Sequence, residues 1–589
     1  MPHQLYTSWG ENLDTSKVLN EYPRPQMRRD SYINLNGYWQ YAITGSNRLT
    51  DVYEGEILVP FSPEAALSGV RRQVRPEQFL HYSRTFAVVA MESGQRLLLH
   101  FGAVDQICTV FINGRRAGAH VGGYLPFTID ITDLVKSGGN LLQVVVKDYS
   151  DTSYHSRGKQ KIDRGGMFYQ AQSGIWQTVW MEYVPADYID RIKITPRYDE
   201  DSVEVRVLVN KPGVKYARLV ISDAGRDVIT QEIPVNQNAV ITVPNFKSWQ
   251  PEEPFLYDMR ISYGEDVVST YFAMRKYSIG KDSRGVMRFF LNNRPYLHNG
   301  LLDQGYWPDG LYTAPSDEAL IYDIETAKDL GYNMLRKHCK IEPARWYYHC
   351  DRLGMLVWQD MVNGGHKYNM KFICTVPNVL GGIGRGFRDS RYRSFARADA
   401  RGRQQYYHEL KAMMRHLYHF ASIAVWVPFN EGWGQFDAAK ATKFIKGRDS
   451  SRLVDEASGW FDQGGGDIYS IHNYFRRLRI KPNHVRVVAL TEYGGYSYRV
   501  EGHSYSSRVY GYRKYFSSQR LTTGYEMLIR RQIIPALKKG LSGAVYTQLS
   551  DIEEEVNGIF TYDRRQVKID QESLRRMNRL VYAEFRRYV

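Results

Sequence analysis

The chain has 589 residues, which is too long for a single hydrophobic core and predicts roughly three or four domains. No run of about 18 apolar residues occurs and the first residues lack an apolar segment, so we expect no membrane partner and no export signal, and predict a cytoplasmic protein. The net charge of +15 is spread along the chain without a nucleic-acid-binding motif, so we expect no nucleic acid partner.

Aromatic residues are abundant, with 45 tyrosines and 11 tryptophans. Aromatic rings stack on the C–H faces of sugars, so this composition fits a carbohydrate-binding protein, although such residues also serve as core or interface. The four cysteines show no Cys-x-x-Cys spacing. We therefore expect reduced thiols, no metal site and no cofactor, and we allow for a homo-oligomer.

Two stretches of short β-rich runs come first in the chain. Residues 1–184 contain runs separated by Gly, Asn and Asp, with a hairpin signal at Asn113-Gly114, which predicts an antiparallel sandwich. Trp176 and Trp180 are spaced like inward strand positions, so we interpret them as core. Residues 185–277 alternate in the same way, and their length suits an immunoglobulin-like sandwich.

From residue 278 to 589, candidate strands alternate with amphipathic segments, which is typical of a parallel α/β array. The remaining length is sufficient for an eightfold barrel of about 250 residues with insertions. Eight candidate strands can be counted, at 296–300, 333–336, 355–358, 423–429, 452–455, 468–471, 485–490 and 544–547.

Two glutamates follow apolar candidate strands. The run VWVPF ends in Asn430-Glu431 after the fourth strand, and VRVVAL ends in Thr491-Glu492 after the seventh. Parallel barrels place their catalytic groups at the C-terminal ends of the strands, so these two side chains can face each other across the barrel mouth. Two opposed carboxylates, one protonated and one ionised, are what cleavage of a glycosidic bond requires.

The ordered set of motifs resembles glycoside hydrolase family 2, which contains β-galactosidases and β-glucuronidases. The segments FGAVDQICTVFINGRRAGAHVGGYLPF and GIWQTVWMEYVP are similar to its N-terminal sugar-binding jelly-roll. The resemblance implies a jelly-roll at 1–184, an immunoglobulin-like sandwich at 185–277 and a catalytic TIM barrel at 278–589. It also implies that Glu431 is the acid/base and Glu492 the nucleophile of a retaining exo-β-glycosidase without a metal.

Further polar residues at strand ends become candidates for substrate binding through the same resemblance. Asn430 is expected to hold the sugar 2-hydroxyl, and Arg336 to orient the nucleophile through charge-assisted hydrogen bonds. The remaining candidates are Asp303, His338, Asp360, His472, Tyr474 and Tyr546. For each one, a supporting role is an equal alternative to contact with substrate.

The sequence departs from the family pattern at the last strand. Tyr546 occupies the position of a stacking tryptophan, with Gln548 as another candidate, and Glu555-Val556-Asn557 replaces the Asn-x-Lys that reads a uronic carboxylate in β-glucuronidases. A β-galactoside is the first expectation for the substrate, by the frequency of that activity in the family alone. A β-glucuronide, a pentoside or a catalytically silent carbohydrate-binding protein are the alternatives, and the loop at 362–392 is either a lid or a surface insertion.

Overall fold

The computed structural model describes residues 4–375, 377 and 386–589. Its N-terminal part is an antiparallel β-sandwich preceded by a short helix, Ser8–Glu11. One sheet has six strands, in the order Gly55–Val59, Gly37–Thr44, Phe79–Val88, Gly138–Lys147, Ile107–Ile112 and Arg115–Val121. The other has four, in the order Tyr32–Asn34, Val179–Val184, Arg96–Phe101 and Phe127–Asp130. Alternate residues of both sheets form one buried core. Trp176 and Trp180 are buried but lie outside this core, because Trp176 packs against Tyr312 next to the barrel and Trp180 stacks on His100.

A second, smaller sandwich follows. Its three-stranded sheet contains Ile189–Arg197, Ser202–Val209 and Ala239–Thr242. Its four-stranded sheet contains Arg226–Pro234, Tyr216–Asp223, Tyr257–Tyr263 and Asp266–Phe272. Val203, Val205 and Val207 face Leu219 and Ile221 of the opposite sheet, so the alternation in the sequence corresponds to the two faces of each strand.

The C-terminal part is a barrel of eight parallel strands. The strands are β1 (His298–Asp303), β2 (Met334–Lys337), β3 (Leu356–Asp360), β4 (Ile423–Val427), β5 (Leu453–Val454), β6 (Ile468–Asn473), β7 (Val487–Gly494) and β8 (Leu541–Thr547). Their spatial order is β5-β4-β3-β2-β1-β8-β7-β6, and in the described residues β5 and β6 are not paired, so the barrel is nearly closed. The predicted TIM barrel is confirmed.

Helices surround this barrel. They are α1 (Asp317–Asp329), α2 (Ala344–Leu353), α3 (Ala400–Leu417), α4 (Ala438–Lys446), α5 (Ser518–Leu528), α6 (Ile534–Lys538) and α7 (Gln571–Arg586). Within the described ranges, none is both long and apolar enough to cross a bilayer. A three-stranded sheet of Tyr277–Lys281, Met287–Leu291 and Arg294–Pro295 closes the N-terminal end, where Phe289 and Leu291 pack against the strand residues that fill the barrel interior.

The seventh strand differs from its prediction in a way that affects the site. The apolar run predicted a strand ending at residue 490, with Glu492 in the following loop. The ladder instead continues to Gly494, because His472 of β6 pairs with Glu492 and Tyr546 of β8 pairs with Tyr493. Glu492 therefore lies within β7, whose backbone is held on both sides.

Candidate active site

A sharp turn after β4 presents the Glu431 carboxylate. The backbone N–H of Glu431 donates to the carbonyl oxygen of Ser458 at 2.8 Å, and Ser458 N–H donates to that of Phe429 at 2.8 Å. Glu431 has φ of +50°, a left-handed conformation that residues other than glycine rarely adopt. Such local strain persists only where the surrounding structure holds it, and here the two backbone hydrogen bonds with Ser458 do so.

The second carboxylate, Glu492, is held by two side chains. Arg336 of β2 lies with its Nη1 3.2 Å from Glu492 Oε1, and the Tyr474 hydroxyl donates to Glu492 Oε2. Burial raises the pKa of Glu492, but the interactions with His472 and Arg336 outweigh burial and hold this pKa below its usual value. Glu492 is therefore ionised at neutral pH, as a nucleophile requires.

His472 lies between the two glutamates. Its Nδ1 is 2.7 Å from Glu431 Oε1, and its Nε2 is 3.7 Å from Glu492 Oε1 and 3.1 Å from the Ser458 hydroxyl. One ligand atom from each of Glu431, His472 and Glu492 lies within 4.8 Å of the others. The ends of β4, β6 and β7 thus bring both carboxylates to one point at the C-terminal face of the barrel.

Arg336 links Glu492 to Asp360 of β3 and to Asn430 of the loop after β4. Its Nε and Nη2 each lie 3.0 Å from an oxygen of Asp360, and Nη2 donates to Asn430 Oδ1 at 2.8 Å. His338 Nδ1 is 2.6 Å from Asp360 Oδ2. Asp360 therefore anchors Arg336 and His338. Asn430 Nδ2 donates to no group in the described residues, which leaves it available to a ligand.

Two groups of donor atoms are close enough to hold a metal ion, one of Glu431, His472 and Glu492 and one of His338, Cys339 and Asp360. Arg336 contacts a carboxylate of each group, so its positive charge opposes a cation in either place.

Three family models match successive parts of the chain. The model for glycosyl hydrolases family 2, sugar binding domain, matches residues 68–185, that for glycosyl hydrolases family 2 matches 187–275, and that for the family 2 TIM barrel domain matches 286–485. The chain belongs to glycoside hydrolase family 2.

Individual relatives are distant. A putative β-glucuronidase of Formosa agariphila is 29% identical over 297 residues, covering 48% of this chain and 34% of the relative. A β-galactosidase of Thermoanaerobacter pseudethanolicus is 24% identical over 372 residues, covering 58% of this chain and 47% of the relative. The matched parts thus span less than half the length of these two relatives.

Solved structures share the fold over nearly the whole chain. A β-glucuronidase from an uncultured Clostridium superposes with a TM-score of 0.73 at 19% identity, covering 94% of this chain and 99% of its own. A β-galacturonidase from Eisenbergiella tayi bound to glycerol gives 0.69 at 18% identity, covering 95% and 98%.

Within this family 2 barrel, two predicted site residues lie away from the glutamates. Asp303 pairs with Lys337 at 2.5 Å, and Lys337 also contacts Glu342 at 2.8 Å. Lys337 follows Arg336 in β2, so its side chain points to the opposite face of the strand, and Asp303 joins it there. The structure thus places Asp303 in a separate buried ion cluster.

Tyr546 is the second of these residues. Its side chain is 1% exposed and packs against the rings of Tyr493 at 5.5 Å and Tyr525 at 5.4 Å. Tyr525 belongs to α5, so Tyr546 faces the layer between strand and helix rather than the barrel mouth. The difference from the expectation arises because a strand-end position does not reveal which face its side chain takes.

Trp433 contacts the acid/base candidate directly, and sequence reasoning did not single it out. Its Nε1 donates to Glu431 Oε2 at 3.1 Å. The ring packs edge-on against Tyr368 at 4.9 Å and Phe168 at 5.6 Å. Its place two residues after Glu431 was the available signal.

The loop at 362–392, predicted as a lid or a surface insertion, is described in part. Residues 376 and 378–385 lie outside the described residues, and Tyr368 and Ile373 of that loop are buried in the same aromatic cluster as Trp433.

The N-terminal sandwich forms one wall of the site. The backbone N–H groups of Arg157 and Gly158 donate to the carbonyl oxygen of Asn363 at 2.9 and 3.1 Å, after β3. The Tyr169 hydroxyl donates to Glu555 and accepts from Gln304 at 2.8 Å. These residues are hundreds of positions from their partners, so their approach depends on domain docking that local sequence patterns do not encode.

A pair of stacked tyrosines forms another wall. Tyr474, which contacts Glu492, stacks on Tyr512 with ring centroids 3.7 Å apart. Burial and the neighbouring charge of Glu492 raise the pKa of Tyr474, so its phenol stays protonated and donates to Glu492.

Proposed function

We propose that this chain is a retaining exo-β-glycosidase that acts on terminal β-galactoside-type sugars. The observation that supports it most is the close approach of Glu431 and Glu492, whose nearest oxygens lie within 4.8 Å. Retaining enzymes hold their carboxyl groups about 5–5.5 Å apart, whereas inverting enzymes leave about 6.5–9.5 Å for a water. The spacing favours direct attack by a carboxylate.

In the first step, an oxygen of Glu492 forms a bond to the anomeric carbon as the bond to the leaving oxygen breaks. Glu431 donates its proton to that leaving oxygen. Arg336 and Tyr474 keep Glu492 ionised and aligned for attack, one on each carboxylate oxygen. The product is a covalent glycosyl ester of Glu492 together with the free aglycone.

In the second step, Glu431 removes a proton from water, and the oxygen of that water attacks the anomeric carbon. The bond to Glu492 breaks, and the sugar leaves with its original anomeric configuration. His472 and Trp433 each contact one oxygen of Glu431, so they fix its orientation through both proton transfers. Asn430 Nδ2 can donate to the sugar 2-hydroxyl, a contact that strengthens in the transition state of this reaction class.

The nucleophile assignment is tested with Glu492→Ala. This variant should lose turnover of every aryl β-glycoside, and azide should partly restore it while giving the α-glycosyl azide. Turnover at the wild-type rate, or rescue with the opposite stereochemistry, would reject the assignment. Glu492→Gln, which keeps the shape and removes the charge, serves as the matched control and should not be rescued.

The acid/base assignment is tested with Glu431→Ala. Glycosides with activated leaving groups need no protonation, so their first step should stay fast, whereas poor leaving groups should lose rate steeply. Equal losses on both kinds of substrate would contradict an acid role.

The preference for a β-galactoside rests on weaker support. The relative from Thermoanaerobacter pseudethanolicus is named β-galactosidase. The positions at which β-glucuronidases carry the Asn-x-Lys that binds a uronic carboxylate are Glu555 and Asn557 in this chain. Asn557 Nδ2 donates to Glu555 Oε1 at 2.9 Å, so both side chains are engaged with each other. A panel of nitrophenyl β-glycosides tests the preference, and the absence of hydrolysis across the panel would favour a catalytically silent binding protein.

A further inference from the structure

We infer that Lys159, on the wall contributed by the N-terminal sandwich, determines substrate specificity by pairing with an anionic substituent of the terminal sugar. This inference rests on the proposed glycosidase function and names the class of sugar that the site takes. The substituent is a carboxylate or a sulfate, since either supplies a negative oxygen to an ammonium group.

The backbone of Lys159 is fixed on both sides. Tyr169 N–H donates to the carbonyl oxygen of Lys159 at 3.1 Å. The N–H of the preceding residue, Gly158, donates to the carbonyl oxygen of Asn363 in the loop after β3. Gly158 has φ of +63°, and a Cβ there would lie 2.8 Å from the carbonyl oxygen of Cys339, so the sandwich backbone is pressed against the end of β2. Lys159 lies in the turn before the short strand Gln160–Lys161, and Gln160 donates to Asp105 at 3.1 Å within the sandwich. Because Gly158 lies against Cys339, which follows β2, the backbone of Lys159 is placed at the barrel mouth.

The Lys159 ammonium acts on groups of the candidate active site. Its charge interacts with the Glu492 carboxylate and with His338, Cys339 and Cys374. The side chain is half-buried, and no hydrogen bond or ion pair in the described residues engages its ammonium. The residues outside that range, Met1–His3, Val376 and 378–385, include no aspartate or glutamate that could supply a counter-ion.

Two neighbouring cations, Lys340 and Arg157, differ from Lys159 because they are already engaged. Lys340 donates to two carbonyl oxygens and to Glu342, all at 2.7–2.8 Å. The Arg157 guanidinium donates to the carbonyl oxygens of Gly365 and His366. A half-buried ammonium without a partner loses hydration that no protein group replaces, so an anion that enters beside it gains a strong, charge-assisted contact.

The charge balance of the site leads to the same conclusion. An anionic sugar placed beside Glu431 and Glu492 would be repelled unless a free cation lay close by. Arg336 is fully buried and committed to Asp360 and Glu492. Among the described residues, Lys159 lies at this end of the barrel with no hydrogen bond or ion pair to its ammonium, so it can compensate the charge of the substituent.

The test compares p-nitrophenyl β-D-galactopyranoside with its galacturonide and its 6-sulfate, in the wild type and in Lys159→Met. We expect the wild type to prefer one of the anionic substrates. The ratio of kcat/KM for that substrate to kcat/KM for the neutral one should fall at least tenfold in Lys159→Met, while Lys159→Arg should retain it. The preferred anionic substrate identifies the substituent as a carboxylate or a sulfate.

Lys161→Met is the matched control, since this lysine lies two residues away with its ammonium 5.3 Å from the ring of Phe168, and the ratio should not change. An unchanged ratio in Lys159→Met, or a wild-type preference for the neutral galactoside, would overturn the inference while leaving the glycosidase proposal intact. Loss of both would show instead as no hydrolysis of any of the three substrates. A readout that needs no catalysis is the rise in melting temperature when a sugar is added. In the wild type, D-galacturonate or galactose 6-sulfate should raise the melting temperature more than D-galactose does, and in Lys159→Met this difference should disappear.

Discussion

Replacing Arg336 by methionine tests whether one buried guanidinium keeps the carboxylate of Glu492 ionised. The side chain is fully buried and contacts Asp360 at 3.0 Å and Glu492 at 3.2 Å. At an effective dielectric constant of about 20, two unit charges at that last distance attract by about 5 kcal/mol, before the cost of desolvation is subtracted. Breaking a buried pair costs about 3–5 kcal/mol because a charge is left unpaired, so the free energy of unfolding of Arg336→Met should fall by that amount.

The same change should alter the pH dependence of activity. In the wild type, burial raises the pKa of Glu492, but His472 and Arg336 lower this pKa by more than burial raises it. The fall of kcat/KM on the acid side should therefore occur at a pH below the usual pKa range of glutamate. Without Arg336 this pKa rises, and activity should be lost at a higher pH as the carboxylate protonates. The stability that the ionised Glu492 contributes, present above the unfolded-state pKa and lost as pH falls through the folded-state pKa, should shrink as well.

The assays are a pH profile of kcat/KM on an aryl glycoside and urea unfolding of the same preparations. Arg336→Met/Asp360→Asn is the control, because it removes the orphaned charge of Asp360 and should recover part of the stability without restoring the acid limb. If Arg336→Met keeps the wild-type acid limb, then Arg336 does not set the ionisation of Glu492 and the reasoning fails.

Three further substitutions separate residues that contact the glutamates from residues that do not. Trp433→Phe removes the indole donor to Glu431, and a hydrogen bond to a charged group is worth about 1.5–3 kcal/mol, so kcat/KM on poor leaving groups should drop about tenfold or more; equal loss on activated aryl glycosides would count against it. Asp303→Asn should lower the unfolding free energy by about 3 kcal/mol in denaturant titrations, since Lys337 loses a buried partner, with kcat/KM of the folded enzyme unchanged; a stable but inactive variant would return Asp303 to the site. Tyr546→Phe should match the wild type in kcat/KM and melting temperature, because the Tyr546 hydroxyl has no hydrogen-bond partner within the described structure; a raised KM would instead indicate contact with substrate.

The sequence predicts the barrel and the position of both glutamates for one physical reason. Buried parallel strands have short apolar sequences, and the change to polar residues marks their C-terminal ends, as in VWVPFNE. It does not predict which face a strand-end residue takes, since neighbouring residues such as Arg336 and Lys337 point in opposite directions. Asp303 and Tyr546 differ from their expected places because of this ambiguity.

Contacts between domains could not be predicted from the sequence, for a different reason. Lys159 and Tyr169 lie in a segment between regular strands, with no period or motif that relates them to Asn363 or Glu555. Their positions follow from docking of the sandwich on the barrel. Trp433 is an intermediate case, because it adjoins Glu431 in sequence, yet its hydrogen bond depends on the turn that Glu431 takes.

The division of the site between two domains has a consequence for how its chemistry and its specificity can change. Glu431, Glu492 and Arg336 are joined by buried contacts among β2, β4, β6 and β7, so a substitution at Arg336 disturbs stability and reactivity together. Lys159 is held through its backbone, by Gly158 and Tyr169, while no hydrogen bond or ion pair in the described part of the chain engages its ammonium. A substitution of its side chain therefore leaves the fold and the carboxylate pair in place. If Lys159 recognises the substituent as proposed, a substitution there can change the sugar preference at little cost in stability, whereas a substitution at Arg336 cannot change the reaction without destabilising the barrel.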